Sequence, residues 1–209
     1  MAYCSNFLAI LPVVLIVSSC NSGSSSASAA RFAYITNVGD GSYTQCLMES
    51  NAINFLACTN IHPSVLTNPR QIAFSGNYAY IADSSGNNSI VQCLVNNNGI
   101  EFSSCSAIIP NAPGSLQAPR GIAIAGNYAY ITNEAESSYT QCLVNSNGIE
   151  SSSCNTVTPI GIGKLSNPQV ITVFNNSAYI VNATSNSYTQ CSIGVNGIEL
   201  LLFLLLQDS

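Results

Sequence analysis

One short segment recurs four times along this chain at a nearly constant spacing. Its copies read AYITN at 33–37, AYIAD at 79–83, AYITN at 129–133 and AYIVN at 178–182, with steps of 46, 50 and 49 residues. A second landmark, Gln-Cys, occurs at 45–46, 92–93, 141–142 and 190–191, with steps of 47, 49 and 49 residues. Because two separate landmarks share one period, we expect an array of one structural unit repeated side by side.

Each period contains the pattern of four short antiparallel strands. In the third copy the segments 121–125, 128–133, 138–144 and 149–154 are apolar or alternate between apolar and polar residues, and turn residues separate them. Pro69, Pro119 and Pro168 come just ahead of the first strand, where a missing N–H does not interrupt a ladder. The sequence therefore predicts an all-β fold.

The core of the third copy, Pro-Arg-Gly-Ile-Ala followed by Gly-Asn-Tyr-Ala-Tyr-Ile-Thr-Asn, resembles the blade repeats of the NHL and YVTN type. The resemblance extends over residues 32–199 and implies a β-propeller-like array of about four four-stranded antiparallel blades. The blades are expected near residues 32–60, 68–106, 118–155 and 167–199. A β-sandwich and an open β-solenoid are the alternatives, and a period near fifty residues with four strands favours neither.

The array is expected to be incomplete. The first copy starts at its second strand, and the last copy departs from the pattern after Glu199. Residues 200–209 form an aberrant apolar tail in which Phe203 stands where the pattern predicts a cysteine. One interpretation is a truncated copy of a longer propeller, with bare strand edges through which the chain could self-associate.

The first thirty-one residues are typical of an exported lipoprotein. Residues 1–19 read as a signal peptide, since the apolar run 7–17 is too short to span a bilayer. The sequence Val17-Ser18-Ser19-Cys20 resembles the bacterial lipobox, which implies lipidation of Cys20, and residues 20–31 read as a flexible tether. The alternative is an ordinary cleaved signal with a chance cysteine, because no Lys or Arg precedes the apolar run. The resemblance implies a membrane-anchored protein of the bacterial cell envelope, facing the periplasm or the cell surface.

Six of the nine cysteines form pairs at a spacing of twelve residues. Each pair flanks a turn, so the two sulfur atoms would face each other across a hairpin, and we expect a disulfide in each. Zinc binding is the alternative, but this spacing supplies no close ligand pair and His62 is the single histidine. The predicted bonds are Cys46–Cys58, Cys93–Cys105 and Cys142–Cys154. Cys191 is left as a free thiol that could join two chains.

The sequence shows no catalytic constellation, no metal site and no reason to expect a cofactor. Arg70 and Arg120 precede the first strands, which line the central channel in a propeller, so they are candidates for an anion-binding site. Gln169 holds the same place in the fourth copy and weakens that idea. The alternative is that each guanidinium bonds loop carbonyls nearby.

Other repeated polar and aromatic residues are interpreted as structural. The residue that ends the second strand should bond locally, the glutamates after the hairpin turns should be solvated, and the tyrosines before Gln-Cys should pack between blades. These three sets are Asn37, Asp83, Asn133 and Asn182; Glu101, Glu150 and Glu199; and Tyr43, Tyr139 and Tyr188.

Three functions remain open at this point. The leading hypothesis is a lipid-anchored binding or scaffolding module for a protein or a glycan. The second is a metal-dependent enzyme similar to propeller lactonases or lyases, and the third is a non-functional remnant. A nucleic-acid partner is not expected, because the net charge is −5 and the four basic residues are scattered.

Overall fold

The computed structural model describes residues 31–49, 55–84, 88–111, 113–161 and 163–205. These residues form four antiparallel sheets, one for each sequence period, and the predicted all-β, propeller-like array is confirmed. The predicted signal peptide, Cys20 and the tether up to residue 30 lie outside the described residues. Within the described ranges no helix has the length and apolar character needed to cross a membrane.

The sheets follow one another along the chain and are numbered here as blades 1 to 4. Blade 1 comprises β1 (Arg31–Asn37), β2 (Ser42–Met48) and β3 (Phe55–Ile61). Blade 2 comprises β4 (Pro69–Ser75), β5 (Tyr78–Asp83), β6 (Ser89–Asn96), β7 (Gly99–Ile100) and β8 (Ser106–Ile108). Blade 3 comprises β9 (Pro119–Ala125), β10 (Tyr128–Asn133), β11 (Ser138–Asn145), β12 (Gly148–Ile149) and β13 (Asn155–Val157). Blade 4 comprises β14 (Pro168–Phe174), β15 (Ser177–Asn182), β16 (Ser187–Gly194) and β17 (Gly197–Leu205).

The fourth strand of blades 2 and 3 is split, which differs from the continuous strand predicted over 149–154. A 3₁₀ turn at Phe102–Ser104 or Ser151–Ser153 interrupts it. In blade 3 the Ser153 hydroxyl accepts from the backbone N–H of Leu143 at 2.8 Å and donates to the carbonyl of Glu150 at 2.6 Å. A side chain therefore replaces a ladder bond. Blades 1 and 4 have no Ser-Ser-Cys segment at this position, and their last strands, β3 and β17, continue without a 3₁₀ turn.

Three disulfides each connect the strand that carries Gln-Cys, which is β2, β6 or β11, to the segment that follows its hairpin. The bonds are Cys46–Cys58, Cys93–Cys105 and Cys142–Cys154, which are the pairs predicted from the spacing. In the chain-entropy model a loop of this size gives about 3 kcal/mol of stability for each bond. Each disulfide stabilises a single blade, which is too small to have a large core of its own.

Blades 2 and 3 each pack one face against the preceding blade and the opposite face against the following one. We call these the rear face and the forward face. Tyr80 and Ile90 on the forward face of blade 2 share a core with Ile122 and Ile131 on the rear face of blade 3. The same arrangement joins blade 1 to blade 2 and blade 3 to blade 4. The hydrophobic core of the array is therefore a series of layers between blades.

The glutamine of each Gln-Cys landmark fastens its blade to the hairpin of the next. The Gln92 carboxamide donates from Nε2 to the carbonyl of Asn147 at 3.1 Å, and its Oε1 accepts from the backbone N–H of Ile149 at 3.0 Å. Gln45 makes the same two bonds to Asn98 and Ile100, and Gln141 makes them to Asn196 and Ile198. We call this pair of bonds the glutamine clamp. It accounts for the repetition of glutamine ahead of the cysteine.

Blade 4 lacks a disulfide because its second cysteine is missing. Cys191 is a free thiol that is only 1% exposed, and burial raises its pKa to about 12. The ladder pairs Gln190 with Leu204, so Phe203 holds the register position that a cysteine takes in the other blades. The intermolecular bond predicted for Cys191 would require blade 4 to open, since a second chain cannot reach a buried sulfur atom.

Candidate functional site

Polar residues from blades 2, 3 and 4 meet where the first strands of these blades begin. Arg70, Arg120 and Gln169 occupy the same position, directly after the proline that opens β4, β9 and β14. That proline is the first residue of each strand and pairs with the end of the second strand, so its place is slightly different from the one predicted ahead of the strand. We call Arg70, Ser84, Arg120, Glu134 and Gln169 the axial cluster.

Arg120 has its charge balanced inside the cluster. Its Nε forms an ion pair with Glu134, the residue that follows β10. Gln169 of blade 4 donates to the second carboxylate oxygen of Glu134 at 3.0 Å. Burial raises the pKa of Glu134, but the hydrogen bonds from Arg120 and Gln169 outweigh it and hold that pKa below its ordinary value. Glu134 is therefore ionised at neutral pH.

Arg70 differs from Arg120 in the partner that the blade provides. The residue that follows β5 is Ser84, and its hydroxyl accepts from Arg70 Nε at 2.7 Å. Burial and the positive charge of Arg120 lower the pKa of Arg70, although the guanidinium stays protonated. The negative charges of Glu134 and Asp83 act in the opposite direction but leave the pKa of Arg70 lowered, so an anion placed beside Arg70 would relieve the repulsion from Arg120.

A glutamine and a threonine complete the connections between blades near the axis. Gln71 of blade 2 donates to the carbonyl of Ile171 in blade 4 at 2.9 Å and accepts from its N–H at 3.3 Å. Thr132 of blade 3 donates to the carbonyl of Gln169 at 2.9 Å. These bonds join residues 37 and 100 positions apart in the sequence, so the strands that carry the axial cluster are tied together across three blades.

The residues interpreted as structural make the local contacts that were expected. Asn133 accepts from the backbone N–H of Gln117 at 3.2 Å, and Asp83 accepts from that of Asn68 at 2.7 Å. Tyr43 and Tyr139 are buried between blades, whereas Tyr188 on blade 4 is only half-buried. The glutamates Glu101, Glu150 and Glu199 are exposed.

His62 lies away from the axial cluster. It contacts the Asn60 amide at 3.2 Å and lines a shallow cavity of about 300 Å³ together with Val65 and Phe102. A second open cavity of about 520 Å³ lies between the first turns of blades 3 and 4, near Asn127 and Asn176. Among the described residues no three His, Cys, Asp or Glu side chains form a group that could hold a metal ion.

Sequence comparison supports the repeat and leaves its finer type open. A family model described as the LVIVD repeat, a β-propeller-type repeat, matches residues 68–91 and 118–136. These segments are the first two strands of blades 2 and 3 with their flanking residues. The predicted NHL or YVTN type stays a prediction. No curated protein sequence matches this chain.

Solved structures with a similar fold are longer than this chain. A proposed 6-phosphogluconolactonase from Bacteroides uniformis matches at 13% identity and a TM-score of 0.56, over 92% of this chain and 58% of its own. A second one, from Bacteroides fragilis, matches at 10% identity and a TM-score of 0.60, over 88% and 56%. Hydrazine synthase from Kuenenia stuttgartiensis matches at 13% identity and a TM-score of 0.54, over 80% and 56%. The chain thus spans little more than half the length of these structures, and the likeness concerns the fold.

Proposed function

We propose that this chain is an exported, lipid-anchored binding module of the bacterial envelope, and that the axial cluster binds an anionic group of a protein or glycan ligand. The observation that carries the proposal is the difference between the two arginines. Arg120 forms an ion pair with Glu134, whereas the hydrogen-bond partner of Arg70 is the uncharged hydroxyl of Ser84, although Arg70 also interacts with the charges of Glu134 and Asp83. A positive charge left at the axis of a firmly connected scaffold is suited to hold a carboxylate, sulfate or phosphate.

Three features support the envelope part of the proposal. The sequence of residues 1–20 resembles a lipoprotein signal, and the tether that follows would separate the anchor from the blades. Disulfides persist in oxidising compartments, and blades 1, 2 and 3 each contain one. Mass analysis of the mature chain, made in a bacterium that processes lipoproteins, should find a lipid on Cys20. The Cys20→Ser variant should appear in the soluble fraction, and an unmodified Cys20 would refute the anchor.

Binding at the axis can be tested with two small probes. Inorganic phosphate and a uronate oligosaccharide would each be titrated against the full chain by isothermal calorimetry. Arg70→Gln should weaken binding at least about tenfold, because a charge-assisted bond contributes about 1.5–3 kcal/mol. Lys164→Gln is the matched control, since it removes the same charge from an exposed loop position. Equal affinities for the two variants would refute the axial site.

The metal-dependent enzyme similar to lactonases or lyases is the second hypothesis. Proteins proposed to be 6-phosphogluconolactonases share the fold, but their identity of 10–13% to this chain carries no residue over. No group of metal-ligating side chains is found among the described residues, so the axial cluster supports the binding hypothesis over the metal-dependent enzyme. Hydrolysis of a sugar lactone that stops on chelation and is lost in Glu134→Gln would favour the enzyme.

A further inference from the structure

The forward face of blade 4 has the composition of a buried surface but is open. Position 181 shows this most clearly, because Val181 is 47% exposed while its counterparts Thr36, Ala82 and Thr132 are at most 4% exposed. Phe174, on the same face, is 68% exposed. Blades 1, 2 and 3 bury this face against the next blade, whereas no described residue follows blade 4 in the array.

Two tyrosines extend this face toward the outside of the blade. Tyr179 corresponds to Tyr80 and Tyr130, which are fully buried, but in blade 4 the ring is only half-buried. It contacts the ring of Tyr188, with 6.4 Å between the centroids. The face therefore offers aromatic and aliphatic groups together, which is typical of a surface that another protein covers.

Gln190 indicates what type of protein would cover the forward face of blade 4. It stands at the position of Gln45, Gln92 and Gln141, each of which clamps a hairpin of the next blade. The clamp requires a backbone carbonyl and, two residues later, a backbone N–H, with glycine between them. In all three cases these residues read Asn-Gly-Ile.

Two observations favour glycine at this position of the hairpin. A β-carbon on Gly99, Gly148 or Gly197 would come within 2.1–2.3 Å of the clamping carboxamide. These glycines also have φ angles of 100° to 102°, which other residues rarely adopt. A side chain at this position would therefore strain the backbone and displace the clamping carboxamide from its two hydrogen-bond partners.

The first blade of a second copy does not meet this requirement. Each hairpin glycine lies six residues after the first cysteine of its blade, and the residue at that position in blade 1 is Ala52. Ala52 lies outside the described residues, but its β-carbon follows from the sequence alone. In a head-to-tail contact of two copies, Gln190 would therefore meet an alanine at the position where the three clamped hairpins have glycine.

We propose that the forward face of blade 4 docks a further blade of this repeat type, one that carries an Asn-Gly-Ile hairpin and that Gln190 clamps. The docked blade lies outside residues 31–205 and is not blade 1 of a second copy. Its rear face would present small and branched apolar residues, as Ile122, Ala129 and Ile131 do in blade 3. This inference does not depend on the anchor or on the axial cluster.

A peptide that contains the hairpin tests the clamp directly. The probe is the synthetic peptide of residues 138–157, closed by its Cys142–Cys154 disulfide, and the control peptide carries Gly148→Ala. Binding to the full chain is followed by NMR shifts of residues on the forward face of blade 4. Gln190→Leu, and the control peptide, should each weaken binding at least about tenfold, because two hydrogen bonds are lost. Equal affinity of the two peptides, or no shift at all, would overturn the proposal.

A cross-linking experiment identifies the occupant. A photoreactive phenylalanine derivative replaces Val181 in the native host, and the linked peptides are sequenced after irradiation. An adduct whose sequence has Asn-Gly-Ile between two cysteines twelve residues apart supports the proposal. Adducts to residues 42–61 of a second copy would show self-association instead, and adducts to residues 1–30 would show an internal cover. Either of these, or the absence of an adduct, contradicts the proposal.

Discussion

The carboxamide of Gln92 occupies the space that a β-carbon on Gly148 would need, with 2.1 Å between Oε1 and the position of that carbon. The two residues belong to neighbouring blades and are 56 positions apart in the sequence. The contact links a side chain repeated on every third strand to a glycine repeated in the hairpins of blades 2 to 4. Adjacent blades are therefore joined by a glutamine clamp of specific geometry in addition to the apolar layer between them.

Removal of one clamp should destabilise the array by a measurable amount. Gln92→Leu leaves the carbonyl of Asn147 and the N–H of Ile149 without their partner, so we expect a loss of about 1–3 kcal/mol in the free energy of unfolding. Urea denaturation followed by circular dichroism measures it. Gln190 faces no described hairpin, so Gln190→Leu should change the free energy of unfolding by no more than about 0.5 kcal/mol. If both variants lose the same stability, the clamp does not contribute in the way described.

The hairpin glycine can be tested with a double-mutant cycle. Gly148→Ala adds both a backbone strain and a clash, whereas Gly126→Ala adds strain only, because nothing lies within 4 Å of a β-carbon there. The strain costs about 1–2 kcal/mol at Gly126, whose φ of 56° lies in the left-handed helical region, and more at Gly148, whose φ is 100°. We expect Gly148→Ala to cost clearly more, and Gln92→Ala in the same chain to recover part of the difference. Additive effects of the two changes would mean that the residues do not touch.

A fourth disulfide should form when the missing cysteine is restored. In Phe203→Cys the new residue takes the register position opposite Cys191, so the thiol of Cys191 should disappear from a titration in denaturant. The bond should stabilise the chain by up to about 3 kcal/mol. Phe203→Ser controls for the loss of the phenylalanine. A thiol that persists in oxidised Phe203→Cys would place residue 203 elsewhere.

Alkaline conditions should unfold the chain, because its buried tyrosines bind their protons more tightly in the folded state than in the unfolded state. Burial raises the pKa of Tyr80 and of Tyr130 to about 12. The unfolded chain therefore releases protons first, and stability is complete below about pH 10 and falls as the pH rises toward 12. Absorbance of tyrosinate near 295 nm, recorded with circular dichroism, should show ionisation of these residues together with unfolding.

The variant Tyr80→Phe refines the pH prediction. The hydroxyl of Tyr80 is buried with no hydrogen-bond partner among the described residues, so its removal should raise stability at neutral pH by about 1 kcal/mol. It should also reduce the loss of stability above pH 10. A variant that is less stable than the wild type would show that the hydroxyl has a partner.

Neutralising Glu134 should strengthen anion binding at the axis. Glu134→Gln removes the negative charge that pairs with Arg120 and that also acts on Arg70. Affinity for inorganic phosphate should rise severalfold and should fall with added salt. Glu136→Gln changes the net charge equally on an exposed loop and serves as the control. If both variants gain the same affinity, the effect comes from net charge and not from the cluster.

The repeat period predicted most of the fold. Landmarks such as Gln45-Cys46 and Gln92-Cys93 fixed the number of blades, and the spacing of twelve residues fixed the three disulfide pairs. These features are local in the sequence, so strand and turn patterns were enough to find them. The sequence did not predict the 3₁₀ turn before Cys154, because this turn depends on the Ser153 hydroxyl accepting a hydrogen bond that a backbone carbonyl accepts in a regular ladder.

The candidate site was harder to predict because its contacts run between blades. The strand position of Arg70 and Arg120 was clear from the sequence, but the ion pair of Arg120 with Glu134 and the neutral partner of Arg70 follow from the stacking of the blades. The glutamine clamp was missed for the same reason. Its signal was present, however, since Gln-Cys and Asn-Gly-Ile recur with the same period.

Blades 2 and 3 each take part in two clamps: each gives a carboxamide to the following blade and receives that of the preceding blade on its own hairpin. A gene segment of about fifty codons therefore encodes a unit that brings its own donor and its own acceptor. Duplication or loss of such a segment leaves every remaining junction chemically matched. Unequal recombination could thus change the number of blades in one step, with no compensating substitution at the new boundary.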